Sequence, residues 1–385
     1  MLVNELERHL REKILPFWEK LADDEYGGFY GWVDKDLLVD PKAHKGCILN
    51  SRILWTFATA ARILGDGHYL PFAQRAYDFL QRFWDEPNGG VYWSVTHDGR
   101  PLDTTKHTYC QAFAIYGLAA YARATGLQEP LEKAMQLFDV IEEKCTDAGG
   151  YGEAFMADFS PQSNEKLSEN GVMASRTMNT LIHVLEAYAE LYRAGGSERV
   201  RRAGAACLET LLHKVYHPGK QRLEVFFDAQ YGSLLNMQSF GHDIEASWLM
   251  WDAVQCLLPP AEQQPFRQMC IALAESVHRL AMTDHGLRNE MVDGVMDEVR
   301  VWWVQAEALL GFHNAFELTG DERFRQDALI QWNVIKRMIV DPRPGGEWYW
   351  SVHEDGTPTG RPIVEEWKCP YHNSRMCLRM IEQLK

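Results

Sequence analysis

The sequence predicts an all-α fold: a closed six-hairpin α/α barrel (an α/α toroid) with short β-hairpins at its loops, forming a single domain over residues 1–385. Three observations lead there. A Gly-aromatic segment recurs six times, long apolar helical patterns fill the intervals, and each chain end supplies one helix without a partner in sequence. Self-similarity at a spacing of roughly 60 to 75 residues marks one supersecondary unit repeated, with neighbours burying what one unit cannot.

The segment first appears as Gly27-Gly28-Phe29-Tyr30 followed by Asp34, then as Gly89-Gly90-Val91-Tyr92-Trp93 with Asp98-Gly99, and as Gly149-Gly150-Tyr151-Gly152 with Asp158. The later copies are Arg222 to Phe227, His285-Gly286-Leu287, and Gly345-Gly346-Glu347-Trp348-Tyr349-Trp350 with Asp355-Gly356. Aromatic and β-branched residues between Gly and Asp-Gly signals predict a hairpin at each. Between copies the period changes to that of a helix. Apolar inner helices are predicted at Ile48 to Leu64, Ala112 to Arg123, Met178 to Tyr192, Ile244 to Leu258 and Val301 to Leu318. More polar partners follow, as in His68 to Phe83, Leu131 to Cys145 and Glu322 to Val340. A helix too apolar to face water must be buried all round, so six inner helices wrapped by six outer ones form the predicted barrel. The end helices, Glu5 to Leu21 and Lys368 to Leu384, read as one split unit that closes it.

Composition narrows the function. A net charge of −15 and a pI near 5.4 oppose binding to a phosphate backbone, so no nucleic acid partner is expected. Met1 to Lys20 mixes charge with apolar residues and lacks a signal-peptide core, and no run reaches the ~18 apolar residues of a membrane span. No membrane association is expected, and the expected compartment is the cytoplasm. The eight cysteines are scattered without a C-x-x-C pair, which predicts reduced thiols packed as small hydrophobes.

In such a barrel the loops entering the inner helices meet at one mouth, so first turns are where a small-molecule site would form. There stand Arg52, then His107 and Tyr109, then Asn179 and His183. His242, Glu245 and Trp248 follow, then Trp302, Trp303 and Glu307, and finally Trp367, His372 and Asn373. Ionisable groups are costly to bury singly, and their recurrence at equivalent positions favours a shared polar cavity. His242 and Glu245, three apart, share a helix face, so the carboxylate is expected to hold that imidazole in one tautomer. A bridged metal site would need a second such pair, which is missing, so no metal is expected. Flat rings beside hydrogen-bonding groups suit a sugar, and of Trp302 and Trp303 at most one can face the mouth.

At these residues the sequence resembles the N-acylglucosamine 2-epimerase superfamily, and within it the cellobiose 2-epimerase group. The likeness rests on Lys45 to Trp55, Lys106-His107-Thr108-Tyr109, Thr177-Met178-Asn179, Gly241-His242-Asp243-Ile244-Glu245, Arg300 to Glu307 and Trp367 to Asn373, and it spans the chain. The resemblance implies reversible inversion at C2 of the reducing-end glucose of β-1,4 disaccharides, turning cellobiose into glucosylmannose and lactose into epilactose. It implies His242 and His372 as the acid/base pair with Glu245 in support. Arg52, Tyr109, Asn179, His183 and Glu307 become sugar contacts, and Trp303 and Trp367 stacking platforms. Trp248 joins the substrate contacts by its place in the ring. No bound cofactor is implied, and a monomer or weak homodimer is expected.

The chemistry agrees with that implication. C2 of an open-chain aldose lies α to the C1 carbonyl, and a base near neutrality within hydrogen-bond reach can remove its proton to give an enediolate. Alternatives are an N-acylglucosamine 2-epimerase or an aldose-ketose isomerase acting on monosaccharides, both of which use the same intermediate. A glycoside hydrolase would need two carboxylates flanking the scissile bond, with Glu245 and Glu307 as the candidates. A non-catalytic sugar-binding protein would leave the two histidines without a role.

Overall fold

In the computed structural model, which describes residues 2–168 and 171–384, the helices in chain order are α1 (Leu2–His9), α2 (Leu15–Glu19), α3 (Cys47–Leu64), α4 (Leu70–Leu80), α5 (Thr108–Thr125), α6 (Gln128–Lys144), α7 (Met178–Arg193), α8 (Glu198–Thr210), α9 (Phe240–Leu257), α10 (Gln264–Ala281), α11 (Trp302–Thr319), α12 (Glu322–Val334) and α13 (Tyr371–Leu384). The odd-numbered helices from α3 to α13 are buried along most of their length, as their lack of a polar face requires. Each packs on the next, from α3 through α5, α7, α9 and α11 to α13, and α13 also packs on α3. The even-numbered helices lie outside them, and α1 packs on α13, so the two chain ends supply one helical pair. Three inner helices stop on a left-handed glycine, Gly65, Gly126 and Gly320, where a side chain would strain the backbone. Among the described residues no helix is long and apolar enough to cross a membrane.

Two inner helices start a full turn earlier than the apolar pattern predicts: α5 at Thr108 and not Ala112, α9 at Phe240 and not Ile244. Their first turns carry polar side chains, which interrupt the periodicity that locates a helix. The β-structure also differs from expectation. The Gly-aromatic segments form no more than a bridge or a two-residue ladder, as at Ala22 with Phe29 or Thr146–Asp147 with Gly150–Tyr151, and the segment at 285–287 forms neither. Longer-range pairing does more. The strand leading into an inner helix pairs antiparallel with a strand from the following repeat: Lys45–Gly46 with Ser94–Val95, Lys106–His107 with Ala154–Phe155, Arg176–Thr177 with Phe226–Phe227, and Arg300–Val301 with Ser351–Val352.

A basic residue stands just before several inner helices and reaches back to an acid of the preceding segment. Lys45 pairs with Asp23 at 2.6 Å, Lys106 with Asp85 at 2.9 Å, Arg176 with Asp147, and Lys368 with Glu347 at 2.6 Å. The three lysine pairs are buried, so removing one partner would strand a charge, and each pair fixes where an inner helix begins. At the other end the C-terminal halves of the inner helices are tied by Arg62 to Glu382 (2.9 Å), Arg123 to Glu190 (2.7 Å), Arg193 to Asp252 (2.9 Å) and Arg379 to Asp252. Cations suit helix C-termini. These pairs leave a cavity of only about 20 Å³, room for a single water, so the usable space lies at the opposite mouth.

Candidate active site

A cavity of about 270 Å³ opens among the first turns of the inner helices. Arg52 of α3, Tyr109 of α5, Asn179 and His183 of α7, His242 and Glu245 of α9, Trp302 and Trp303 of α11 and His372 of α13 all contribute to its wall, with Trp367 from the loop before α13; both adjacent tryptophans reach it, against the expectation that at most one would. A second space of about 410 Å³ shares Asn179, His242, Trp303, Trp350 and Arg361 with it, so the two form one cleft.

Two histidines are held by one ring nitrogen each. His372 Nδ1 donates to Glu307 Oε1 at 2.7 Å, because an ionised carboxylate can only accept, and this assigns the lone pair to Nε2. His242 Nδ1 lies 2.7 Å from Ser239 Oγ. Neither Nε2 has a protein partner among the described residues. The Trp303 ring touches both imidazoles, with centroids 4.7 Å from His242 and 5.5 Å from His372. Burial pushes the His242 imidazole down to about 3, with His183 adding to the effect. Burial, followed by Arg375 and Arg52, holds His372 well below the ordinary value. Both imidazoles are therefore neutral near pH 7, the form that can accept a proton.

Beneath them lies a buried cluster. The Arg375 guanidinium donates through Nη1 to Glu186 Oε1, and through Nη2 to Glu245 Oε1 (2.5 Å) and Glu307 Oε1 (2.7 Å). Glu186 also meets His183 Nδ1 at 3.0 Å and accepts from the Tyr371 hydroxyl. Arg52 donates from Nη2 to the Tyr109 hydroxyl at 2.8 Å and lies over the rings of Phe113 and Tyr371. Three buried polar atoms of the cavity residues, Arg52 Nε, Asn179 Oδ1 and Glu245 Oε2, have no protein partner among the described residues. One such atom costs about 1–3 kcal/mol, so three in one wall point to a polar ligand.

Three expectations are corrected. Glu245 does not hold His242: although three apart on α9, the carboxylate turns to Arg375 and the imidazole to Ser239. Glu307 is no sugar contact; it is fully buried and its oxygens are taken by His372, Arg375 and Trp248 Nε1 at 2.9 Å. Trp248 lies behind the cavity, 5% exposed, against Arg375 and in the wall of the small far space. Its position two turns into α9 carries it past the mouth. His107 is likewise buried, its Nδ1 accepting from the Tyr109 backbone N–H and its Nε2 donating to Asn164 Oδ1 at 3.1 Å.

Sequence reasoning missed Arg375, Ser239 and Glu186, and the loop residues Lys166, Leu167, Trp350 and Arg361 in the wall. Arg375 had a readable signal, a cation three residues after His372 on a buried helix. The loop residues had none. Glu245, Glu307 and His372 offer ligand atoms within 4.8 Å of one another, as a metal site would, but the guanidinium of Arg375 already binds both carboxylates.

Comparison with known proteins follows the same lines. The N-acylglucosamine 2-epimerase (GlcNAc 2-epimerase) family pattern matches residues 28–374. The chain is 47% identical to a cellobiose 2-epimerase of Eubacterium cellulosolvens, covering 97% of each chain. It is 45% identical to one of Ruminococcus albus, covering 99% of this chain and 98% of that one. The solved structure of cellobiose 2-epimerase from Bacillus thermoamylovorans superposes with a TM-score of 0.96 at 44% identity over 99% of both chains.

Proposed function

The chain belongs to the N-acylglucosamine 2-epimerase family, and we propose that it inverts C2 of the reducing-end glucose of a β-1,4-linked disaccharide such as cellobiose or lactose. The observation that carries this reading is the pair of neutral histidines, His242 and His372, both against the Trp303 ring with Nε2 of each left for substrate. In the open-chain sugar one imidazole takes the proton from C2, and the C–H electron pair moves into the C1–C2 bond as the carbonyl oxygen becomes an enediolate oxyanion. The negative charge of the enediolate lets the other imidazole take up a solvent proton, which it delivers to the opposite face of C2, and the first imidazolium then releases its proton to solvent. Arg52 and its neighbours stabilise the oxyanion, and Trp303 and Trp367 stack on the sugar. The cleft beyond the histidines gives room for a second ring, which favours a disaccharide over N-acylglucosamine or a free monosaccharide. A glycosidase is disfavoured, since Glu307 is saturated by three donors and absent from the cavity wall.

The scaffold we infer is a closed six-hairpin α/α barrel forming one unit over residues 1–385. Support comes from α13 packing on both α11 and α3. We also infer a cytoplasmic enzyme, monomeric or weakly dimeric, needing no metal or organic cofactor; its eight free cysteines suit a reducing compartment. Incubation with cellobiose in D2O tests the reading: glucosylmannose should form with deuterium at C2. Product without C2 deuterium would refute the two-histidine route, and no product from any β-1,4 disaccharide would refute the substrate class.

A further inference from the structure

We propose that Glu245 is an un-ionised carboxylic acid whose Oε2–H donates a hydrogen bond to the sugar oxygen on which negative charge develops. This rests on the epimerase reading and gives Glu245 a role other than holding His242.

The assignment comes from counting donors around Arg375. Three carboxylates share this one guanidinium, so three ionised groups would leave two uncompensated buried negative charges, which a desolvated site does not tolerate. Glu186 receives Arg375, the Tyr371 hydroxyl and His183, and Glu307 receives Arg375, His372 and Trp248. Each is solvated as an anion. Glu245 receives Arg375 at Oε1 alone, while Oε2 is buried and unpartnered among the described residues. The proton belongs on that oxygen, where it turns an orphaned acceptor into a donor. Of the three carboxylates only Glu245 contributes to the wall of the cavity between the histidines. The titratable and charged groups around it are Tyr109 on α5, Glu307 on α11, Tyr371, His372 and Arg375 on α13, and His183 and Glu186 on α7, with His242 on its own helix. Burial, then Glu307, pushes its carboxyl up to about 7 against the pull of Arg375.

A neutral acid in a dry site donates to an oxyanion without adding a like charge beside it, which a carboxylate there would do. Glutamine matches the neutral acid in shape and keeps a donor, so Glu245→Gln should hold kcat on cellobiose within about tenfold, whereas Glu245→Ala should lose about 10²–10³ in kcat with KM little changed. The alkaline fall in the parent's activity as pH passes about 7 should be missing from Glu245→Gln. Infrared difference spectra of the unliganded parent against Glu245→Gln should show the carbonyl stretch of an un-ionised carboxylic acid, vanishing as pH rises. A missing band, or a Gln variant as impaired as the Ala variant, would overturn the proposal. The band needs no turnover, so failure of the epimerase reading, seen as inactivity on every disaccharide, is told apart from failure of this one.

Discussion

Replacing Glu307 by glutamine tests how His372 is prepared for proton transfer. Each Glu307 oxygen accepts only from donors: Oε1 from His372 Nδ1 and Arg375 Nη2, Oε2 from Trp248 Nε1. An amide has one accepting end and one donating end, so one of these contacts must become donor against donor. Turning the NH2 toward Trp248 orphans a buried indole N–H, at about 1–3 kcal/mol. Turning it toward His372 forces the proton from Nδ1 to Nε2 and removes the lone pair that faces the sugar. Loss of a positioned acid–base group is worth about 10²–10⁴ in rate, and at 1.36 kcal/mol per tenfold the lower bound is about 2.7 kcal/mol. The expected outcome is therefore a kcat for cellobiose at least about a hundredfold down, with KM changed far less. The assay is steady-state epimerisation followed by product separation, with thermal unfolding measured in parallel. A Glu307→Gln enzyme that keeps kcat within tenfold would refute the orienting role.

The two adjacent tryptophans should behave differently: Trp302 is 1% exposed, so Trp302→Ala should cost about 3–5 kcal/mol in urea unfolding, while Trp303→Ala should mainly raise KM. Equal losses of stability would show that Trp303 is core as well. His107 sets a pH dependence, since burial pushes it down to about 4 while the unfolded chain takes up that proton near 6.5. The folded state gives up nothing above pH 6.5 and loses stability as pH falls toward 4, by about 1.4 kcal/mol per unit, a slope that His107→Asn should remove. Identical slopes in parent and variant would refute it. Dialysis against EDTA should leave the rate unchanged, since Arg375 supplies the cation between Glu245 and Glu307; activity lost and restored by one divalent ion would refute that.

The repeat and its helical pairs were legible because burying an apolar helix leaves a periodic trace. The mouth was legible for a related reason, since His, Asn and Arg stand out in otherwise apolar first turns. What escaped was direction. Sequence spacing puts Glu245 beside His242 on one helix face, yet a carboxylate settles on the strongest donor in reach, and Arg375 comes from a different helix. Trp248 was misread because a side chain two turns in points behind the cavity, and Glu307 because donors from α9 and α13 take up its oxygens. Pairing of strands across repeats, such as Lys106 with Phe155, has no local signature at all.

Arg375 joins α7, α9, α11 and α13 through one guanidinium, which constrains how this sequence can drift. Altering Glu186, Glu307 or Arg375 alone changes the charge sum of a buried cluster, so single replacements there are penalised whatever their merit elsewhere, whereas the neutral Glu245 can give way to another neutral donor. Their effects cannot add: once Arg375 is gone, removing a carboxylate relieves a defect and creates none. Glu186, Glu307 and Arg375 form one unit of inheritance, open to exchange only in sets that conserve charge.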